Sequence, residues 1–388
     1  MTETKKEENR KEALVVLQVL SGLQVGGAES RVMDLTRVMN REQVRYAFLL
    51  NTKGPDYYEE EAKKLGCEIY RIPRFRFYNF FSYRKAVRKF FLEHPEISIV
   101  QGHMTSTAAL YLPIAKKCGV KATIAHARSA GVDKGLKGYL TKWLRRNLPQ
   151  KTDYMWACST EAAKAVYGEK NYAKVRVIPN AIDTAKFENC PQLRRSGEEI
   201  RKKYGLENAL VIGHVGRFHY AKNHEFLLEV FAKICESAPN ARLLLVGEGS
   251  GMEAAKQQTE KLGIASRVVF AGRQSDVASY YYAMDMLLFP SRYEGLPGTV
   301  VEAQAAELPC LVSDSVTKDV AVTKLVTYMS LKQSSKEWAD AALLHLQKIR
   351  EEKKAKTLES PVELLRENGF DVHYQAKKME EYYIAMTK

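Results

Sequence analysis

PQLRRSGEEIRKKYG, residues 191–205, is polar and charged, and LVIGHVG, residues 210–216, follows it closely. The first stretch interrupts a pattern and the second restarts it. Before residue 191, short aliphatic runs alternate with longer helical patterns: ALVVLQVL (13–20), YAFLL (46–50), EIYRIP (68–73), ISIVQGH (97–103), KATIAHA (121–127), YMWACS (154–159) and VRVIP (175–179). Afterwards the alternation resumes with LVIGHVG, ARLLLVG (241–247), RVVFAG (267–272), DMLLFPS (285–291) and PCLVSD (309–314). Unbroken apolar runs of this length fit strands buried on both faces of a parallel sheet. Two such series parted by a polar link predict an α/β protein of two doubly wound domains. The expected boundaries are a tail over 1–11, a first domain over 12–190 and a second over 191–370. The last pattern, DVHYQAKKMEEYYIAMTK (371–388), predicts a terminal helix with one apolar stripe.

A length of 388 residues favours two cores over one. Hydrophobic content of 45% with 27% charge is ordinary for a globular enzyme. No stretch approaches the ~20 apolar residues that cross a bilayer. The opening MTETKKEENRKEA has no apolar region of the kind a secretory signal carries. The six cysteines include no Cys-x-x-Cys pair, which suits reduced, mostly buried thiols in a cytoplasm. Residues 1–190 hold 33 Lys and Arg against 20 Asp and Glu, whereas residues 191–388 hold 27 against 26. The basicity therefore belongs to the first half, as though that half met an anionic partner.

Ligands of doubly wound sheets bind beyond the carboxyl ends of strands. After the first strand, SGLQVGGAES places Gly26 and Gly27 where a backbone could approach a ligand at a helix N-terminus. An ordinary strand-to-helix turn would read the same way. After LVIGHVG, Arg217 and Lys222 precede a helix whose expected cap is Asn223. Two cations beside a helix start suit a diphosphate, although solvated loop charges would look alike. VGEGSG adds a glycine-rich turn around Glu248.

In SRYEGLPGTVVEAQ (291–304), Pro297 keeps Glu294 in a loop. A helix starting near Gly298 or Thr299 then carries Glu302 in or near its first turn. The two acids could be a hydrolytic pair, a ligand clamp, or a turn whose second acid gains ~0.3–1 kcal/mol from the helix dipole. The amides from Gly295 and Leu296 to Thr299 stand available to hydroxyls or phosphate. In the first half, His103 and His126 end two separate strands, and one could touch a reacting centre while the other meets a charged ligand.

GGAE after the first strand, IPNAID (178–183), VGRFHYAKN (215–223), VGEG (246–249) and EGLPGTVVEAQAAELP (294–309) together resemble the retaining, nucleotide-sugar-dependent glycosyltransferases of family four. KLVTYMSL and ENGFDVHYQAKKMEEYY are similar to the bacterial exopolysaccharide and capsule branch, so the resemblance spans nearly the whole chain. It implies the GT-B fold: two Rossmann-like domains facing a central cleft, an acceptor-binding N-terminal one and a donor-binding C-terminal one, with the terminal helix crossing back to the first. It implies that Arg217 and Lys222 hold the donor diphosphate, with Glu248 nearby. Glu302 would bind the ribose hydroxyls, and Glu294 with the amides of Gly295 and Leu296 would hold the donor sugar. His103 would lie beside the reacting centre, and Gly26 and Gly27 would approach the diphosphate and acceptor from the other domain. His126 and Arg128 would serve the acceptor. Three positions depart from the family pattern. Ala181 follows Pro179-Asn180 where glycine is frequent, Arg128 stands where a second histidine is often found, and Glu307 replaces a common glycine.

On this reading the two glutamates bind rather than hydrolyse, since glycosidases set their carboxylates across the scissile bond. The expected reaction moves a sugar, with retention, from a nucleotide-sugar (a UDP-sugar) to a lipid-linked saccharide. No Asp-x-Asp occurs in the sequence, so neither metal nor cofactor is expected.

RIPRFRFYNFFSYRKAVRKFF (71–91) holds seven Lys and Arg, eight aromatics and no acid. KGLKGYLTKWLRRNL (134–148) sets Leu136, Tyr139, Leu140, Trp143 and Leu144 at helical spacing among cations. Such stretches suit peripheral contact with the anionic inner face of a cell membrane, while a core-facing stripe fits the second one as well. Nucleic acid is not the expected partner. The alternative functions are a non-hydrolysing UDP-sugar 2-epimerase and a non-catalytic sugar-nucleotide-binding partner.

Overall fold

The computed structural model describes residues 13–24, 26–128 and 136–388; the expected tail over 1–11 lies outside them. Seven strands form the first sheet: β1 Leu14–Leu20, β2 Val44–Leu50, β3 Glu68–Arg71, β4 Ile97–Gly102, β5 Ala122–Ala127, β6 Tyr154–Ala157 and β7 Val175–Val177. Their order is β3-β2-β1-β4-β5-β6-β7. Every pairing is parallel. β1 sits centrally with Val16, Leu17 and Val19 without accessible surface, as the unbroken apolar run requires.

A second sheet holds β8 Leu210–Val215, β9 Ala241–Val246, β10 Val268–Gly272, β11 Met286–Phe289, β12 Cys310–Ser313 and β13 Val326–Met329. These run in the order β10-β9-β8-β11-β12-β13. They too are parallel throughout. β13 is the strand the sequence did not announce. Its residues are all only half-buried, so the segment lacks the apolar run by which the others are read.

The chain divides into one unit of Met1–Asn180 with Val372–Lys388, and another of Ala181–Asp371. The division therefore falls at Asn180, before the polar stretch used to place it. That stretch is itself a helix, Pro191–Tyr204, inside the second unit. Gly197 lets it pack: a Cβ there would stand 2.7 Å from the Tyr282 carbonyl carbon. Arg201 Nη2 then reaches Asp285 Oδ2 at 2.8 Å. The terminal helix Val372–Thr387 returns to the first unit. There the Tyr383 hydroxyl lies 3.1 Å from that of Tyr46, and Gln375 Nε2 donates to the Pro179 carbonyl at 2.7 Å.

Cys67, Cys158 and Cys310 are buried and Cys118, Cys190 and Cys235 half-buried, all as free thiols. Ala181 carries no positive φ, whereas Glu307 does, at 57°. Glu307 thus occupies a left-handed position just beyond the helix Gly298–Ala305, which is a physical reason for glycine to suit it.

Candidate functional site

In each sheet the order reverses at one place, between β1 and β4 and between β8 and β11. Crossovers leave such neighbouring strands toward opposite faces and open a crevice at their carboxyl ends. The candidate residues fall on the loops that follow these four strands, with Glu248 after β9 and His126 and Arg128 at β5.

After β1, Gly26 caps the helix Gly27–Val38 in extended conformation, φ −155° and ψ 164°. A Cβ on Gly26 would come within 2.4 Å of Glu29 Oε2, but one on Gly27 meets no described atom within 4 Å. Nothing described in the fold demands glycine at 27, and that face is open among the described residues. Asp56 shapes the preceding loop, accepting from the Leu23 N–H at 2.8 Å, Gln24 Nε2 at 2.7 Å and the Thr52 hydroxyl at 2.8 Å.

After β4, both ring nitrogens of His103 are engaged. Arg128 Nε donates to Nδ1 at 3.0 Å, so the proton sits on Nε2 and is donated to Gln18 Oε1 at 2.7 Å. Burial, and then the Arg128 charge, hold this imidazole well below the usual histidine range. Arg128 Nη1 also donates to Asn180 Oδ1 at 3.0 Å, so the arginine ties β5's end to the end of this unit.

His126 has no accessible surface. Its Nδ1 meets Gln101 Nε2 at 2.8 Å, and Gln101 Oε1 accepts in turn from the Tyr383 hydroxyl. The two histidine rings lie 5.4 Å apart. The expected acceptor contact through the His126 side chain therefore has no face to act through. The ring is part of a buried chain from the terminal helix to the strand ends.

In the second unit, Lys222 Nζ lies 2.7 Å from Glu294 Oε1, with the side chains 17% and 18% exposed. The approach is close but badly directed, and Glu294 Oε1 has no hydrogen-bond donor. Lys222 Nζ also stands 4.5 Å from the Phe289 ring centre, a cation–π contact at the end of β11. Asn223 does not cap the following helix His224–Ser237 with its side chain. It adopts a left-handed conformation, φ 57°, and its Nδ2 donates to the Pro290 carbonyl at 3.1 Å. That bond locks the loop after β8 to the loop after β11. Arg217 is exposed, with no ion-pair partner among the described residues.

Glu294 stays in the loop and the helix begins at Gly298, so Glu302 is its fifth residue, just past the first turn. Glu302 Oε2 accepts from the Tyr281 hydroxyl at 2.9 Å. Among the described residues no acceptor faces the N–H groups of Gly295, Leu296, Gly298 and Thr299. They form a short row of unspent donors between the two glutamates. Glu248 is exposed, and the glycines beside it serve the fold. A Cβ on Gly247, φ 141°, would sit 2.1 Å from the Gly216 carbonyl oxygen, because the loops after β8 and β9 run backbone against backbone.

Sequence reasoning missed Tyr281, which sits in a YYY run without a signal, and a pair of buried histidines. His214 Nδ1 donates to the Leu288 carbonyl at 2.8 Å. The His224 ring stacks on Phe218 at 4.0 Å and lies 4.8 Å from His214. Burial first, then nearby charge, pushes His214 well down and His224 to about 4. Both rings are neutral spacers beneath Lys222. Among the described residues no cluster of three or more His, Cys, Asp or Glu could hold a metal ion. Among them, too, no helix is long and apolar enough to cross a membrane.

Residues 25–186 match the family described as Glycosyltransferase Family 4, and residues 196–359 match Glycosyl transferases group 1. The relative named "Putative glycosyltransferase EpsF" in Bacillus subtilis (strain 168) is 33% identical over 84% of this chain and 86% of its own. The chain belongs to glycosyltransferase family 4. Two further relatives of this family 4 glycosyltransferase have informative names. The UDP-Gal:alpha-D-GlcNAc-diphosphoundecaprenol alpha-1,3-galactosyltransferase of Escherichia coli is 25% identical over 76% of the chain and 77% of that enzyme. The capsular polysaccharide biosynthesis glycosyltransferase CapH of Staphylococcus aureus is 23% identical over 96% and 99%. The crystal structure of HepE from Anabaena in complex with UDP superposes with a TM-score of 0.76, at 17% identity, covering 96% of this chain and 100% of that one. The family 4 glycosyltransferase thus has the GT-B fold, with its two Rossmann-like units.

Proposed function

We propose that this glycosyltransferase moves a sugar from a UDP-sugar to a lipid-linked saccharide in exopolysaccharide or capsule assembly, with retention and without a metal, at the inner face of the cell membrane. The Ala181–Asp371 unit is the donor-binding domain and the other the acceptor-binding domain. Arg217 and Lys222 take the diphosphate, with Glu248 at the rim, and Gly27 leaves room for it on the acceptor domain. Glu302, aimed by Tyr281, takes the ribose hydroxyls. Glu294 and the N–H groups of Gly295 and Leu296 take the sugar hydroxyls. His103, held neutral by Arg128 and Gln18, stands at the acceptor side of the reacting carbon, and His126 supports that placement.

The observation that carries this reading is the Lys222–Glu294 pair beside a row of unspent amides. A donor can part the pair by offering each charge a new partner, the lysine turning to phosphate and the glutamate to sugar hydroxyls. As the bond from the anomeric carbon to the phosphate oxygen breaks, its electron pair goes to the diphosphate. Preorganised cations stabilise that charge in the transition state. The acceptor oxygen attacks from the same face and its proton passes to the leaving phosphate oxygen.

The relatives are named as transferases, so the epimerase and the non-catalytic binding partner are not favoured. The test is a panel of nucleotide sugars with and without polyprenyl-diphosphate saccharides. Acceptor-dependent release of nucleoside diphosphate, with the anomeric configuration kept in the product, is the expected result. Isomerised donor without any acceptor would overturn it.

A further inference from the structure

Two hollows of the first unit share a wall. The first, of about 500 Å³, lies beyond the ends of β1, β2 and β4 and mixes polar groups, among them Gln24, Glu29, Asn51 and Thr52, with the apolar Met104 and Leu144. The second, of about 600 Å³, is aromatic and cationic, with Phe80, Trp143, Arg84 and Arg146. Phe75, Phe77 and Leu144 line both. Among the described residues the second hollow has no acid in its lining. Phe77 is 55% exposed and Trp143 61%, so the helix Leu136–Arg145 does not turn this part of its stripe to the core. Phe75 packs edge-on against Phe77 at 5.4 Å, which fixes the dividing wall. The Arg84 guanidinium lies over Phe80, 5.4 Å from its centre, and no carboxylate among the described residues pairs with it.

We propose that these hollows form one acceptor site for a polyprenyl diphosphate-linked saccharide. The terminal sugar enters the first hollow, where Glu29, Asn51 and Thr52 offer acceptors and donors to hydroxyls. The diphosphate meets Arg74 and Arg84, at the two sides of the shared wall. The isoprenoid lies along Phe77, Phe80 and Trp143. Charge complementarity and continuity select this occupant. A free saccharide would leave the aromatics unused, and a plain acyl lipid would leave Glu29, Asn51 and Thr52 of the first hollow without partners. This site rests on the transfer reading above, and it adds the groups that recognise the acceptor's lipid and diphosphate.

The test is binding of farnesyl diphosphate to the full chain, measured by equilibrium dialysis against inorganic pyrophosphate and farnesol, with UDP binding followed in the same samples. Farnesyl diphosphate is expected to bind at least about tenfold tighter than either fragment. Phe77→Ser with Trp143→Ser, and Arg84→Gln alone, should each weaken it about tenfold while UDP affinity stays unchanged. Trp143→Phe should restore most of the binding. Equal binding of farnesyl diphosphate and pyrophosphate, or unchanged binding in these variants, overturns the proposal. So does a loss confined to phosphatidylglycerol vesicles with farnesyl diphosphate unaffected, which would make the patch a membrane-adsorbing face. UDP bound normally while farnesyl diphosphate fails sinks this site alone; UDP failing in the unaltered chain sinks the donor reading instead.

Discussion

Lys222 and Glu294 meet at 2.7 Å from loops that follow different strands, β8 and β11, on either side of the place where the second sheet reverses its order. Each charge faces the loop that carries the other, so a ligand offering phosphate to the lysine and hydroxyls to the glutamate can replace the contact. Lys222→Ala and Glu294→Ala are each expected to lower transfer about a hundredfold or more. Each single change also leaves the other charge mostly buried without its partner, so folding stability should fall by about 1–3 kcal/mol. Acceptor-dependent UDP release and urea denaturation together check this. Full activity in both variants would remove the pair from the site.

Gly27 and Gly247 separate a functional glycine from a structural one. Gly27→Ala meets no described atom, so melting should be unchanged while transfer falls, if a diphosphate passes that face. Gly247→Ala drives a Cβ against the Gly216 carbonyl and should cost about 2–4 kcal/mol. Thermal melts of the two variants beside their donor KM values distinguish the cases.

Tyr281 donates to Glu302 from a fully buried ring. Tyr281→Phe removes that donor without changing the packing, so Glu302 loses its aim. The donor KM should rise about tenfold with kcat little altered, and stability should fall by about 1 kcal/mol. An unchanged KM would detach Glu302 from nucleotide binding.

Several buried histidines make stability depend on acidity. His103, His126 and His214 lie well below their ordinary value of 6.5, and His224 lies at about 4, in each case chiefly through burial. The folded chain keeps these rings neutral, whereas the unfolded chain protonates them below 6.5. The unfolded state then binds more protons, so stability is fully present above 6.5 and declines as pH falls below it. For His224 alone the decline amounts to about 3 kcal/mol by the time pH reaches its folded value. Urea midpoints at about pH 7.5 and about pH 5 should show the drop, and His224→Phe should shrink it.

Much of this is legible in the sequence. Apolar runs buried from both sides announce strands by composition, and Pro297 alone separates a loop glutamate from a helical one. β13 escaped because an edge strand that is half-buried needs no continuous apolar run. The helix Pro191–Tyr204 looked like a link because its apolar stripe is thin: Ile200 and Tyr204 pack on the core beside Gly197, and the rest of the segment is mostly charged. His126 looked like a site residue because it ends a strand; the terminal helix, folding back with Tyr383, buried it.

The sequence by itself determined two doubly wound units and which loops carry polar groups at strand ends, because burial and backbone constraints are local and repeat along the chain. Only the tertiary structure decided which of those groups meet. Lys222 finds Glu294, Tyr281 finds Glu302, and Arg128 spends itself on His103 and Asn180. Those pairings depend on strand order, and strand order is settled by how whole helices cover a sheet rather than by any residue's neighbours in the chain.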